Sequence, residues 1–523
     1  MAEDKEQDSI QALIEERVKR EKEALKATDK KPAKKALCSK FVTDCLRANE
    51  LGDGILYAEI HDGKFLFDKT TNEWLKWAGH HWGLDIMDSA KSSVEKVAQT
   101  YLKEAFSLTK KIDDAIKNND NNQAKKLTKR QTNIYKRVLK LRSEKGRTSC
   151  LKFAQTNPIN AISIDGSELD KDPWLLACPN GVVNLRTGEL RDGRPSDNCF
   201  RACNIEYHGI DAKAPVWEIF LNDVFEKKED IIKFVLRIIG YGMTGLNFER
   251  IMPVFCGSGW NGKGTILETI MKVCGSYASP IQSEMLLDSG RMVRSASGVS
   301  PDIMQLKGLR LALASETDEG RRFSTSKVKW LTGGDTLVGR NPYDKRPSSF
   351  TPTHMLILIT NHEPKAPAHD YAFWKRVYLI RFNLSFVDNP KLDHERPRDK
   401  ELIGKLSEEM PGILASFVRG CIEWQKDGLN PPKDVLKETL KYKRSLDNLS
   451  DFFDECCLVQ KDNMIGAKEL YDAFVEWWEI NVSKNAPKQK TFGNWMSNAG
   501  FERIKSGTYK YVGLTLEKEV FDE

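Results

Sequence analysis

Apolar positions recur along this chain with two periods, and the periods divide it. Trp217, Ile219, Phe220, Val224 and Phe225, then Ile231, Phe234, Val235, Ile238 and Ile239, repeat at helical spacing over 215–247, and Gly240, Gly242 and Gly245 end that run. Val254-Phe255-Cys256, Leu311–Ala314 within 309–315, and Met355–Ile359 within His354–Thr360 are short continuous apolar runs instead. Such runs predict strands buried on both faces. Ile266, Leu267, Ile270 and Met271 predict a helix after the first of them, and apolar positions from Leu402 to Ile422 predict more helices. Upstream, 90–150 reads as helices broken by the polar turn Asn118–Asn122, and Leu56–Ile60 and Lys64–Asp68 read as short strands. Asn180–Leu190 reads as a β-hairpin turning at Thr187-Gly188. After the break at Gly428–Pro432 comes a polar helix, 433–450. Phe452-Phe453, Ala467–Trp478 and Thr491–Ala499 then read as helices, and Tyr509–Leu514 as a closing strand.

Composition narrows the class. At 523 residues the chain is long enough for about three domains. Its formal net charge is +6, which permits nucleic acid as a partner without demanding it. No apolar run approaches the roughly 20 residues that span a bilayer, so no membrane is expected. The 11 cysteines include no Cys-x-x-Cys pair, which suits reduced thiols in the cytoplasm and no zinc site. The first 35 residues form a Lys/Glu-rich arm. Within 101–150, 14 Lys and Arg stand against 5 Asp and Glu, an excess of 9, and mark a candidate phosphate-facing surface.

The chemistry concentrates at Gly257-Ser258-Gly259-Trp260-Asn261-Gly262-Lys263-Gly264-Thr265, between a predicted strand and a predicted helix. This spacing matches the phosphate-cradling loop of nucleoside triphosphatases. Backbone N–H groups must converge on one concavity, and glycine takes the required angles cheaply. The helix start adds partial positive charge, and Lys263 adds a full one for the β and γ phosphates. The position after Lys263 is Gly264, where a hydroxyl would hold Mg²⁺, so Thr265 is the nearest substitute. The strand 309–315 runs into Glu316, Asp318 and Glu319. One carboxylate there is expected to help hold Mg²⁺ and one to orient the attacking water, with Glu316 the first choice and Glu319 beside it. Asn361 ends the strand 354–360, where its amide could reach the γ phosphate. Arg376 precedes another strand, where it could reach a neighbouring subunit's nucleotide. Arg340–Arg346 forms the basic tip of a hairpin between 336–339 and 348–350. Asp165 and Asp170 match the carboxylate spacing of a primase poorly, so no primer synthesis is expected.

In this order the motifs resemble a superfamily 3 DNA helicase within the AAA+ class, and more closely the helicase part of primase–helicases from phages, plasmids and poxviruses. The resemblance rests on 257–265, Ala314–Gly320, Leu331–Asp335, Ile359–His362 and Phe373–Arg376, with 180–190 similar to the module that precedes the helicase. It implies an α/β fold with an AAA+ P-loop ATPase core and a central sheet. An α+β module (36–215) would precede the core (216–425), and a winged-helix domain (445–515) would follow it. Arg503, Lys505 and Lys510 suit DNA at that last domain. The resemblance makes Lys263 the phosphate ligand, Glu316 part of the acidic motif, Asn361 the sensor and Arg376 the trans-acting finger. Lys345 and Arg346, with Arg340, would grip DNA in the channel of a ring, a hexamer. The expected activity is ATP- and Mg²⁺-dependent unwinding in replication of a mobile element, in a bacterial or virus-infected cell, with a primase or other replication protein as a further partner. The alternative is an origin-binding or DNA-loading or packaging ATPase that does not unwind.

Overall fold

The computed structural model describes residues 37–288, 299–315, 321–342, 346–368, 370–482 and 484–517. The N-terminal arm, Glu316, Asp318, Glu319 and Lys345 lie outside the described residues. The chain divides into two compact units, 1–182 with 191–202, and 183–190 with 203–523.

The first unit opens with α1 (Ser39–Arg47) and α2 (Asn49–His61), followed by β1 (Phe65–Asp68), β2 (Glu73–Trp77) and β3 (Trp82–Leu84). The strands pair antiparallel in the order β3-β2-β1, and Ser163–Ile164 adds in parallel beyond β1. The expected strand at Leu56–Ile60 is therefore helix. Ile55, Leu56, Tyr57 and Ala58 are all buried, because α2 is enclosed rather than amphipathic. A run apolar on every side carries no period, so helix and strand look alike in it. Two long helices follow, α3 (Glu95–Lys117) and α4 (Asn121–Arg142), then α5 (Glu144–Thr156). Asp120 in the predicted polar turn accepts the N–H of Gln123 at 2.9 Å and so starts α4. Buried Asp53 of α2 ties the helices together. It accepts from Arg137 Nε of α4 and from Tyr101 Oη of α3, each at 3.0 Å. The tryptophans pack as core aromatics. Trp74 meets Phe67 at 5.3 Å between ring centres, and Trp77 meets Trp82 at 5.3 Å.

The second unit takes up the expected turn at Gly188 (φ 76°), whose N–H bonds Asn184 O at 2.7 Å. Helices α6 (Pro215–Val224) and α7 (Glu229–Gly242) carry the helical run. A Cβ at Gly240 would lie 2.2 Å from Cys421 N, so this glycine lets α7 touch the helix Met410–Asp427 backbone to backbone. Then come β4 (Met252–Cys256), α8 (Lys263–Cys274), β5 (Ala278–Gln282), β6 (Leu311–Ser315), α9 (Thr325–Leu331), β7 (Leu337–Gly339), β8 (Ser348–Phe350), β9 (Met355–Thr360) and β10 (Val377–Arg381). Five of these strands form one sheet in the order β10-β4-β9-β6-β5, every neighbour parallel. All residues of β4 and β9 are buried, which explains their unbroken apolar runs. The helix Lys433–Arg444 covers the β10 edge, and Thr439 Oγ1 accepts the N–H of Leu379 at 2.9 Å. β7 and β8 pair antiparallel as the expected hairpin.

Beyond 445, helices Asn448–Cys456, Ala467–Asn481 and Gln489–Asn498 pack around Phe452, Phe474 and Phe492. Strand content exceeds the single closing strand expected. Arg503–Ser506 and Thr508–Val512 pair antiparallel about Gly507 (φ 72°), and Met464–Gly466 joins them. Ile504 is the one apolar side chain in 503–506, too little to mark a strand by pattern.

Candidate nucleotide site

Because the five strands are parallel, their carboxyl ends share one edge. Cys256 pairs with Thr360 on one side and with Arg381 on the other. The glycine-rich loop leaves β4 between those neighbours, the kind of place where open parallel sheets receive ligands. Gly262 stands at φ 88° immediately before α8, so the chain turns from loop to helix in the left-handed region. Its missing Cβ would lie 2.8 Å from Val224 of α6, and that of Gly257 2.3 Å from Phe382 O. The loop is therefore clamped on its inner side. Gly259 and Gly264 face open space, with no atom within 4 Å of a Cβ position. The first N–H groups of α8, including those of Gly264 and Thr265, have no partner within the helix.

Lys263 is the first residue of α8, and its side chain turns back under the loop, 5% exposed. Its Nζ donates to Gly257 O at 2.5 Å, to Ser258 O at 3.3 Å, and to the side-chain oxygens of Asn261 and Asn361 at 3.1 Å each. All four acceptors are neutral. Burial without a counter-charge among them pulls the Lys263 ammonium down from its ordinary value to about 8. Asn261, also buried, bonds Ser258 O through Nδ2 and holds the loop's middle. Asn361 is positioned by the turn after β9. There Thr360 Oγ1 donates to His362 O at 2.7 Å and accepts the His362 N–H at 3.1 Å. Lys263 and Asn361, 98 residues apart in sequence, thus meet.

Arg376 lies elsewhere. It precedes β10, and its carbonyl accepts the N–H of Met252 at 2.7 Å, at the amino edge of the sheet. Its Nε donates to Thr332 Oγ1 at 3.1 Å. Burial first, then the nearby Arg250, lowers its pKa. Five residues of strand, about 16 Å, separate it from the loop of its own chain. In the hairpin, Arg340 is half-buried against Ser300, whose Oγ accepts the Arg340 N–H at 3.1 Å, while Arg346 is exposed. Among the primase candidates, Asp170 accepts the N–H groups of Phe200 and Arg201, and Asp165 accepts from Thr70 Oγ1 at 3.0 Å.

Two features of the site are absent from the sequence reading. Exposed Trp260 sits at φ 59° with the Arg398 guanidinium 4.7 Å from its ring centre. Strands Ser385–Val387 and Glu395–Pro397 pair beside it, and Phe386 N donates to Trp260 O at 2.6 Å. Arg381, at the carboxyl end of β10, pairs with Glu363 and with Glu438, the latter at 3.2 Å. Neither feature has a local spacing that would announce it.

The loop fits a polyphosphate on three grounds: a buried ammonium bonded to neutral oxygens, an open flank at Gly259 and Gly264, and unpaired helix N–H groups. The half-buried Thr265, in the first turn of α8, suits a hydroxyl ligand for a divalent cation. A pH dependence follows. Lys263 binds phosphate as the ammonium, so phosphate raises its pKa and takes up a proton when added above pH 8. Nucleotide affinity is expected to be flat below pH 8 and to fall up to about tenfold per pH unit above it. Calorimetry in buffers of different ionisation enthalpy checks the proton uptake, and Lys263→Arg should flatten the profile. In the free chain the sign reverses. The depressed Lys263 pKa makes stability rise as pH goes from about 8 toward 10.5.

Parts of the chain are similar to known proteins. The family described as D5 N terminal like matches residues 54–226. The protein named Putative helicase L207/L206 of Acanthamoeba polyphaga mimivirus is 28% identical over 349 residues, covering 63% of this chain and 35% of its own length. Its counterpart 022R of Frog virus 3 (isolate Goorha) is 24% identical, covering 60% and 40%. Primase D5 of Fowlpox virus (strain NVSL) is 24% identical, covering 50% and 34%. The chain thus spans well under half the length of these relatives. An apo structure of the NrS-1 C-terminal region covers 72% of this chain and 91% of its own at 12% identity, with a TM-score of 0.41, too loose a likeness to carry an assignment. No helix among the described residues is long and apolar enough to cross a membrane. Over residues 54–226 the chain is therefore similar to the D5 N terminal like family, and over 50–63% of its length to proteins named putative helicase or primase D5 from large DNA viruses.

Proposed function

We propose that this chain is an ATP-hydrolysing replicative DNA helicase of a mobile element or virus, working as a ring, a hexamer. The observation that carries the reading is the meeting of Lys263 Nζ and Asn361 Oδ1, 3.1 Å apart, at the carboxyl edge beside the glycine loop. That arrangement sets one full positive charge and one polar amide where a terminal phosphate would lie. ATP would be held by the loop, Lys263 and the first turn of α8. Mg²⁺ would be held by Thr265 with carboxylates from Glu316 and Glu319, and would neutralise phosphate charge. Asn361 would orient the terminal phosphate and the attacking water. The sheet order, with β4 between the strand that ends just before Asn361 and the strand that begins after Arg376, supports an AAA+ core. The placement of Arg376 on the amino edge supports a site completed by a second subunit. The names of the viral relatives support unwinding as the output. The three helices and the hairpin of 448–512 support a winged-helix DNA-binding domain.

Strand displacement on forked duplexes tests the proposal. Wild-type chain with ATP and Mg²⁺ is expected to separate a fork with one single-stranded tail polarity and to stop when ATP is replaced by a non-hydrolysable analogue. ATP hydrolysis without displacement on either polarity would favour a loading or packaging ATPase.

A further inference from the structure

The helix α4 has an uncommon charge ledger. Its 22 residues hold eight basic side chains and no acidic one. Four of the eight are spent on the rest of the unit. Arg130 pairs with Glu104 at 3.3 Å, Lys140 with Glu50 at 2.5 Å, Arg142 with Glu95 at 2.6 Å, and Arg137 with buried Asp53. These contacts fasten α4 to α2 and α3. The other four, Lys125, Lys126, Lys129 and Lys136, are exposed and make no ion pair or hydrogen bond among the described residues. At 100° per residue, Lys125, Lys129 and Lys136 fall within about 40° of one another, and Lys126 lies at the flank of that stripe. The buried Ala124, Ile134, Val138 and Leu141 point the other way. The remaining exposed residues between Lys125 and Lys136 are Thr128, Thr132 and Asn133, all hydrogen-bonding groups.

We propose that this lysine stripe on α4 is a docking surface for the phosphate backbone of DNA. Like charges kept together on a rigid helix repel one another, and a row of about 16 Å can meet several phosphates at once. Nucleic acid fits the stripe better than a protein does. A protein interface needs an apolar or aromatic anchor at its centre; between Lys125 and Lys136 the stripe has none, and the exposed Leu139 lies beyond its end, about one turn after Lys136. Lysine as a hydrated point charge also suits backbone contact without base readout. The surface would hold DNA without sequence preference while the motor works. The inference rests on the proposed DNA-acting function.

The test uses the full chain carrying Lys125→Gln, Lys126→Gln, Lys129→Gln and Lys136→Gln together. Fluorescence anisotropy reads binding to a random-sequence single strand and to a duplex over a salt series. The expected result is a log–log salt slope shallower by about three and at least about tenfold weaker binding at low salt. DNA-independent ATP hydrolysis and thermal unfolding should match wild type, because the four side chains support no contact. A wild-type chain that binds DNA, with a variant of equal slope and affinity, overturns this inference alone. A wild-type chain that binds no DNA overturns the proposed function as well. A variant that keeps its DNA affinity but loses binding to polyglutamate would assign the stripe to an acidic protein and overturn the inference.

Discussion

Lys263→Ala is expected to cut ATP hydrolysis by about 100- to 1,000-fold and to abolish strand displacement, while the chain stays folded. The expectation starts from where the charge sits. The ammonium is buried beneath the glycine loop, and neutral oxygens alone accept its hydrogen bonds. At 5% exposure the ammonium itself meets little water, so a phosphate charge developing beside it feels it through a lowered effective dielectric. A single preorganised donor in such a site commonly contributes a factor of about 100 to 1,000. The fold should survive for the same reason that the pKa is depressed. Burying an uncompensated ammonium costs free energy, so removing it relieves that cost while sacrificing four hydrogen bonds. Steady-state hydrolysis and thermal unfolding, measured side by side, separate the two effects. Unchanged hydrolysis in a folded variant would remove the loop from catalysis and return the origin-binding alternative. Lys263→Arg keeps the charge in a planar, longer group, and the four acceptors are arranged for a compact ammonium. That variant should recover nucleotide binding more than hydrolysis.

The loop was legible from sequence because its signal is local. Glycine spacing, a lysine and flanking apolar runs lie within about 20 residues. The buried strands β4, β6 and β9 were legible for the same reason, since a parallel sheet covered on both faces leaves unbroken apolar stretches. What was not legible is non-local. Leu56–Ile60 reads as strand because an enclosed helix shows no period, and α2 is enclosed by α5, whose Phe153 and Ala154 approach Gly54 closely. The hairpin at 503–512 is only half legible because its outer strand has one apolar residue and its pairing supplies the rest. Trp260 and Arg398 lie 138 positions apart, and the strand pair 385–397 that joins them is short and mostly polar. Sequence order also does not tell which edge of a sheet a residue occupies. That depends on strand direction, and it alters the meaning of Arg376.

Arg376→Ala is expected to lower ATP hydrolysis by about 1,000-fold, and mixing it with wild type should lower activity more steeply than the mutant fraction. The magnitude follows from what a guanidinium contributes when it meets charge developing on a transferring phosphoryl group. The steepness follows from the sheet. Within one chain Arg376 sits at the amino edge and Lys263 at the carboxyl edge, with the length of β10 between them. No side chain spans that distance, so Arg376 cannot complete the site of its own chain. In the proposed ring it would act on the nucleotide of a second copy that brings its carboxyl edge to this amino edge. Such a head-to-tail contact closes into a ring when the rotation permits. Burial and then the nearby Arg250 disfavour the charged guanidinium at that edge, offset in part by Asp370, while Thr332 Oγ1 and Ala372 O accept its hydrogen bonds. An anionic nucleotide from a neighbour would favour the charged form. Mixed rings then contain sites with an intact Lys263 and a missing partner arginine, and coordinated hydrolysis propagates the defect. The complementary mixture sharpens the test. Arg376→Ala combined with Lys263→Ala should regain part of the hydrolysis that each lacks alone, because some interfaces pair an intact loop with an intact arginine. Linear mixing curves with no regain would mean that each chain carries a complete site, and Arg376 would then be a structural residue bonded to Thr332.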